Sequence, residues 1–112
     1  MIQNAKDIEL LYYVLEAISN VDIHVSGECS NFTKERAVIF EIITIGEAVK
    51  SISKETKEKY KHVPWQLIAD SRNKMVHDYE DISSRIVSDI VERHLPELKQ
   101  NIEAIIAQKE GN

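Results

Sequence analysis

The sequence predicts an all-α protein, an up-and-down antiparallel bundle of four to five helices. Three observations carry this. Apolar residues recur at spacings of three and four through long blocks, the signature of helices with one buried face. Only 3 Gly and 2 Pro interrupt 112 residues, too few punctuators for a turn-rich sheet protein. The hydrophobic fraction of 43% against 29% charged is that of a chain able to bury a core rather than stay disordered. At this length one core is expected, so residues 1–112 are read as a single helical domain.

The first helix is expected from about Ala5 to Ile23, because Ile8, Leu11, Tyr12, Leu15 and Ile18 form one stripe. Asn4 serves as its N-cap, Asp7 favours the positive first turn, Tyr12 is assigned to the core and Tyr13 to its boundary. Ser26 to Asn31 breaks the pattern as a loop. A second helix is expected to start near Thr33, whose hydroxyl can cap it, and to run to about Lys54. Its middle, Ala37 to Val49, is apolar on nearly every side, and a helix of that kind must be covered all round. So small a domain has few neighbours to do this, which implies a dimer interface. Gly46 would cost about 1 kcal/mol in a helix interior unless it lets another helix approach closely.

The third helix opens at Val63-Pro64-Trp65, with Pro64 at the first helical position, where its missing N–H costs nothing. It is expected to reach about Val76, with Trp65, Ile68, Arg72, Met75 and Tyr79 along one face. The spacing of Trp65 with Ile68 favours core packing over stacking on a base. Asp78 to Ser83 reads as a polar connection, after which Ser83 or Ser84 can cap a last helix over about Ser84 to Ala107. Pro96 removes a donor and crowds the carbonyl of Glu92, so a kink or break is expected near His94.

Composition narrows the function. The single Cys29 allows no internal disulfide and suggests no zinc site. The N-terminus shows no basic region leading into an apolar run, and no uncharged stretch nears the ~18 residues of a membrane span, so a cytoplasmic protein without a membrane partner is expected. A net charge of −5 argues against a general polyanion binder, yet the charge is uneven. Residues 50–77 carry seven cations (Lys50, Lys54, Lys57, Lys59, Lys61, Arg72, Lys74) against three anions, a net +4 that leaves −9 for the rest. His62 and His77 lie in the same island, whereas His24 and His94 read as incidental.

Arg72 and His77 are the candidate catalytic pair. A His near neutral pKa can remove a proton from an RNA 2′-hydroxyl or donate one to a leaving 5′-oxygen. A forked, always-charged guanidinium can hold the phosphate and its developing charge. Such cleavage needs no metal and no cofactor. Five helical steps of about 100° separate the two side chains by roughly 140°, so they meet only if the helix frays near Val76 or if two chains combine across a two-fold axis. The second arrangement would also supply the second His that acid–base cleavage requires. Glu47 is read as either a catalytic carboxylate or a buried partner for Arg72, the second favoured because buried charges need pairing.

Arg72, Asn73 and His77-Asp78-Tyr79 resemble the Arg-x4-His-x-Tyr signature of HepT-like proteins in the HEPN superfamily. Ile45-Gly46-Glu47-Ala48, Val63-Pro64-Trp65-Gln66-Leu67-Ile68-Ala69 and His94-Leu95-Pro96-Glu97-Leu98 are similar to further family segments, so the resemblance covers essentially the whole chain. It implies a HEPN-like bundle that dimerises as a homodimer, with Arg72 and His77 of both subunits lining a cleft and Asn73 in support. It implies an endoribonuclease toxin acting on cellular RNA such as tRNA, neutralised by a nucleotidyltransferase antitoxin that adenylylates Tyr79. Lys61, His62 and Lys74 are added as candidate RNA contacts. The alternative reading is a non-catalytic subunit that binds nucleotide or substrate for the nucleotidyltransferase. Tyr79-Glu80-Asp81 departs from the family's usual Tyr-Phe-Gly and sets two carboxylates beside the proposed phosphate site.

Overall fold

The computed structural model describes residues 5–77 and 83–110, and among them every regular element is helical. Helix α1 (Ala5–Ser26) and helix α2 (Asn31–Ser51) are long. A short α3 (Lys54–Lys59) leads to α4 (Trp65–His77). Helix α5 (Ser84–Asp89) passes through a π-helical turn at Ile90–His94 into α6 (Leu95–Glu110).

Contacts between ends give the directions. Asp7 at the start of α1 meets Ser53 just beyond α2, and His24 near the end of α1 lies 3.8 Å from Glu41 in α2, so the two helices are antiparallel. Trp65 at the start of α4 donates its indole N–H to the Tyr60 carbonyl at 3.0 Å, and Arg72 further along lies against Gly46, so α4 returns along α2. Ser84 touches Glu35 early in α2 (2.7 Å) and Tyr60 touches Gln108 late in α6 (3.2 Å), so the last rod descends alongside α2. The expected up-down-up-down order is therefore present. Its buried side chains, among them Leu11, Val14, Ile45, Val49, Met75, Leu98 and Ile102, form one contiguous core.

Several boundaries and one core assignment differ from expectation. The buried stripe of α1 is Asp7, Leu11, Val14, Ala17, Ile18 and Val21; it turns Tyr12, one position after Leu11, outward, 46% exposed rather than in the core. The N-cap of α2 is Ser30, whose hydroxyl accepts the Thr33 N–H at 3.2 Å, three residues before the expected cap. Helix α2 ends at Ser51, short of Lys54, because Ser53 caps a separate helix, α3, that was not anticipated from the sequence. Pro64 stands one position before α4; its carbonyl accepts the Ile68 N–H. Ser83 caps α5 as anticipated. Pro96 acts as expected on the preceding turn: the helix widens, and the Leu95 N–H reaches the Ile90 carbonyl, five residues back. Asn4, Asp78, Tyr79, Glu80 and Asp81 lie outside the described residues.

Asp7 anchors the start of α3. Its carboxylate is 1% exposed and accepts the Ser53 N–H (2.9 Å), the Ser53 hydroxyl (2.5 Å) and the Thr56 hydroxyl (2.6 Å). Burial alone would raise its pKa; these hydrogen bonds and the charge of Lys57 outweigh it and hold the group below the usual carboxylate range. A folded-state pKa below the unfolded value of about 3.9 contributes stability that is complete above that value and lost as pH falls through the folded one. Asp7→Asn should therefore cost about 1.5–3 kcal/mol at pH 7, the range for hydrogen bonds to a charged group. Thermal melts from pH 7 to pH 2 should show the gap to wild type constant down to about pH 5 and closing below about pH 4. A gap independent of pH would exclude the charge as its source.

Candidate active site

Gly46 determines where Arg72 stands. A Cβ on Gly46 would overlap the Arg72 Cβ and come within 3.2 Å of its Cα, so only glycine permits α4 to lie this close to α2. The close approach expected of Gly46 is thus made by the candidate catalytic arginine itself. From there the guanidinium donates through Nη2 to Glu47 Oε1 at 3.2 Å and through Nη1 to Asn73 Oδ1 at 3.0 Å. Its Nε is buried and finds no hydrogen-bond partner among the described residues. Glu47 does pair with Arg72, but the pair is not deeply buried: the side chains are 23% exposed for Arg72 and 58% for Glu47. An incoming phosphate can therefore reach the guanidinium and compete with Glu47 for it.

Helix α4 extends through His77, so the fraying that could have swung His77 toward Arg72 does not occur. No hydrogen bond or ion pair joins the two among the described residues, and His77 is exposed. Taking Arg72 as the origin, a regular helix places Val76 at about 40°, Asn73 at about 100° and His77 at about 140°. Asn73 thus links the guanidinium to the side of the helix that carries His77. Val76, between them, is 40% exposed, an apolar side chain left uncovered.

From Arg72 toward the start of α4 the surface opens into a groove of about 610 Å³ lined by Lys50, Lys57, Lys61, Gln66, Arg72 and Asn73 together with Gly46. Lys61 therefore shares a surface with Arg72. Lys74 does not: it lines a separate groove of mixed charge with Asp70, Arg85, Asp89, Glu92 and Arg93. His62 is exposed near the edge of the Tyr60 ring, 6.3 Å between centroids, and does not line the Arg72 groove. Trp65 is buried, as its spacing with Ile68 suggested. Sequence reading did not select Lys50, Lys57 or Gln66 as site residues. Lys50 could have been found from its position one helical turn after Gly46 and Glu47; Lys57 could not, because its placement depends on α3.

Further along α2, Phe32 (69% exposed) and Phe40 (65%) share a stripe with Arg36 and Glu47. The Arg36 guanidinium lies over the Phe32 ring at 5.2 Å. The apolar all-round character of α2 is thus met only in part by its own chain. Among the described residues, no helix is long and apolar enough to cross a membrane.

Comparison with known proteins places this geometry. The family model described as "Ribonuclease HepT-like" matches residues 3–105. A Methanocaldococcus jannaschii protein named "Putative RNase MJ1216" is 32% identical over 95% of this chain and 93% of its own length. "Putative RNase TTE0752" of Caldanaerobacter subterraneus is 40% identical over 67% of this chain and 66% of its own. "Probable ribonuclease HepT" of Thermococcus cleftensis is 33% identical over 62% and 63%. No solved structure gives a significant match. With nearly its full length matched by the family model, the chain belongs to the HepT-like ribonuclease family, as its Arg-x4-His-x-Tyr motif implied.

Proposed function

We propose that the protein is a metal-independent endoribonuclease of the toxin type, working as a homodimer in the cytoplasm on cellular RNA such as tRNA. The observation that carries this reading is the placement of Arg72: locked against Gly46, partly exposed, and beside a groove lined by three lysines. In the reaction the 2′-oxygen attacks phosphorus and the bond to the 5′-oxygen breaks. One His77 takes the 2′-proton, and the partner copy's equivalent gives a proton to the departing oxygen. Arg72 stabilises the charge that builds on the phosphoryl oxygens, and Asn73 holds its guanidinium in place. The products are a 2′,3′-cyclic phosphate and a free 5′-hydroxyl.

Dimerisation is supported by the exposed apolar surface that ends at the site. Phe32 and Phe40 lead along α2 to Glu47, and Val76 lies one turn beyond Arg72. A second copy covering this face would bring its own His77 to the Arg72 side. Control by a nucleotidyltransferase antitoxin belongs to the same proposal: the Tyr79 oxygen attacks the α-phosphorus of ATP and pyrophosphate leaves. The added negative charge, two residues after His77, would repel an RNA phosphate.

The test is cleavage of total tRNA by the purified full-length protein in excess EDTA, with product ends identified by mass spectrometry. Cyclic-phosphate ends are expected, with Arg72→Ala slower by about 10²- to 10³-fold, the usual loss on removing a donor to a transition-state oxyanion. Incubation with the nucleotidyltransferase and ATP should abolish cleavage by wild type and spare Tyr79→Phe. A wild type that binds RNA without cutting it would instead establish the non-catalytic reading.

A further inference from the structure

We propose that the groove of Lys50, Lys57 and Lys61 is a track for the sugar-phosphate backbone of RNA, holding the strand on one side of the phosphate bound at Arg72. The inference depends on the ribonuclease reading only for which phosphate sits at Arg72. Three features of the groove carry it. Among the described residues its lining contains four cations and no Asp or Glu, in a chain whose net charge is −5. The cations are brought together by the fold: Lys57 Nζ reaches the Lys50 carbonyl at 3.4 Å, which folds α3 back along the end of α2. The other lysines of α3 point elsewhere, with Lys54 paired to Glu58 at 3.9 Å and Lys59 over the Tyr60 ring at 5.6 Å. Selection of lysines toward one concave surface, while their neighbours are neutralised or stacked, is the arrangement that binds a polyanion.

The chemistry of the lining also says what part of the RNA is held. Among the described residues Trp65 is the only aromatic one lining the groove, and it is 7% exposed with its indole N–H committed to the Tyr60 carbonyl, so it offers no face to a base. Lysines grip phosphates without reading sequence. The strand would run along α4 past Gln66 and Asn73 to Arg72, so the groove supplies affinity while choice of the cut site lies elsewhere.

The experiment compares two charge-matched variants of the full-length protein. Lys50→Gln with Lys61→Gln removes groove cations and leaves Lys57, which also faces the Asp7 network. Lys54→Gln with Lys59→Gln removes the same charge from the same region outside the groove. Binding of a fluorescent 2′-O-methyl RNA 12-mer, which lacks the attacking hydroxyl, is followed by anisotropy across salt concentrations, with circular dichroism melts confirming folding. Each lost phosphate contact to a single strand lowers the salt slope by about 0.7, or about 5-fold in affinity at 0.1 M salt, so the groove variant should bind about 25-fold more weakly. The control variant should change less than 2-fold. Equal losses in the two variants would show a bulk charge effect and overturn the track, as would no loss in either. Loss of binding to the nucleotidyltransferase with RNA affinity unchanged would assign the groove to the protein partner and also overturn it. Lysine-dependent binding by a wild type that does not cut RNA supports the track while removing the ribonuclease reading; cutting of long RNA unaffected by the groove variant does the reverse.

Discussion

Replacing His77 with Ala is expected to lower the rate of RNA cleavage by about 10²- to 10⁴-fold, the loss of a general acid–base. It should also poison wild-type subunits. Arg72 and His77 stand about 140° apart on an unbroken helix, and each chain brings one such His to a reaction that needs both a base and an acid. If the site is shared, a mixed dimer is missing one of them. With subunits exchanged at equal concentration, activity should fall to about one quarter, the statistical fraction of wild-type homodimers. Mixing the two proteins in varied ratio at constant total concentration and measuring initial rates checks this. A fall to one half, proportional to the wild-type fraction, would mean that each chain cuts alone and would remove the two-chain site. The substitution itself should leave the melting temperature nearly unchanged, since His77 is exposed.

Gly46→Ala is expected to do the opposite of what local helix preference says. In an open helix interior, alanine is favoured over glycine by about 1 kcal/mol. Here the new Cβ meets the Arg72 Cβ and lies 2.8 Å from its Cγ and 3.2 Å from its Cα, atoms near or on the backbone that cannot rotate away. The helices must part, and such overpacking typically costs about 1–3 kcal/mol. At roughly 4–8 °C per kcal/mol for a chain of this size, a fall of several degrees in melting temperature should be seen by calorimetry. The rate should fall further than the stability, because moving a charge-stabilising group by about 1 Å can cost 10²-fold. Gly27→Ala is the control: its nearest contacts, 3.5 and 3.6 Å to backbone carbonyls, are ordinary, and neither stability nor rate should suffer. A stabilised Gly46→Ala protein of normal activity would show that close packing at this point is not what positions Arg72.

These expectations differ in how much of them could be read from the chain. The apolar spacing of α4 placed Trp65, Ile68, Arg72 and Met75 along one face, and the structure buries the three apolar side chains and leaves Arg72 23% exposed. Pro96 announced its distortion because a missing N–H acts within a turn of itself. Tyr12 was misplaced because two adjacent tyrosines and three nearby aliphatics fit two stripes about 100° apart, and only packing against α2 and α6 selects one. Helix α3 was missed because it is only six residues long and its cap, Ser53, is held in place by a carboxylate 46 residues earlier in the chain.

By itself, then, the sequence determined the helical class, the motif and its family, and the chemistry available to Arg72 and His77, since each depends on residue type and on neighbours within one or two turns. The tertiary structure decided the rest. It made Gly46 a seat for Arg72, carried α4 through His77 so that one chain does not bring the pair together, and gathered Lys50, Lys57 and Lys61 into one groove. Those outcomes depend on which helices touch and at what distance, and spacing along one helix carries no information about the next.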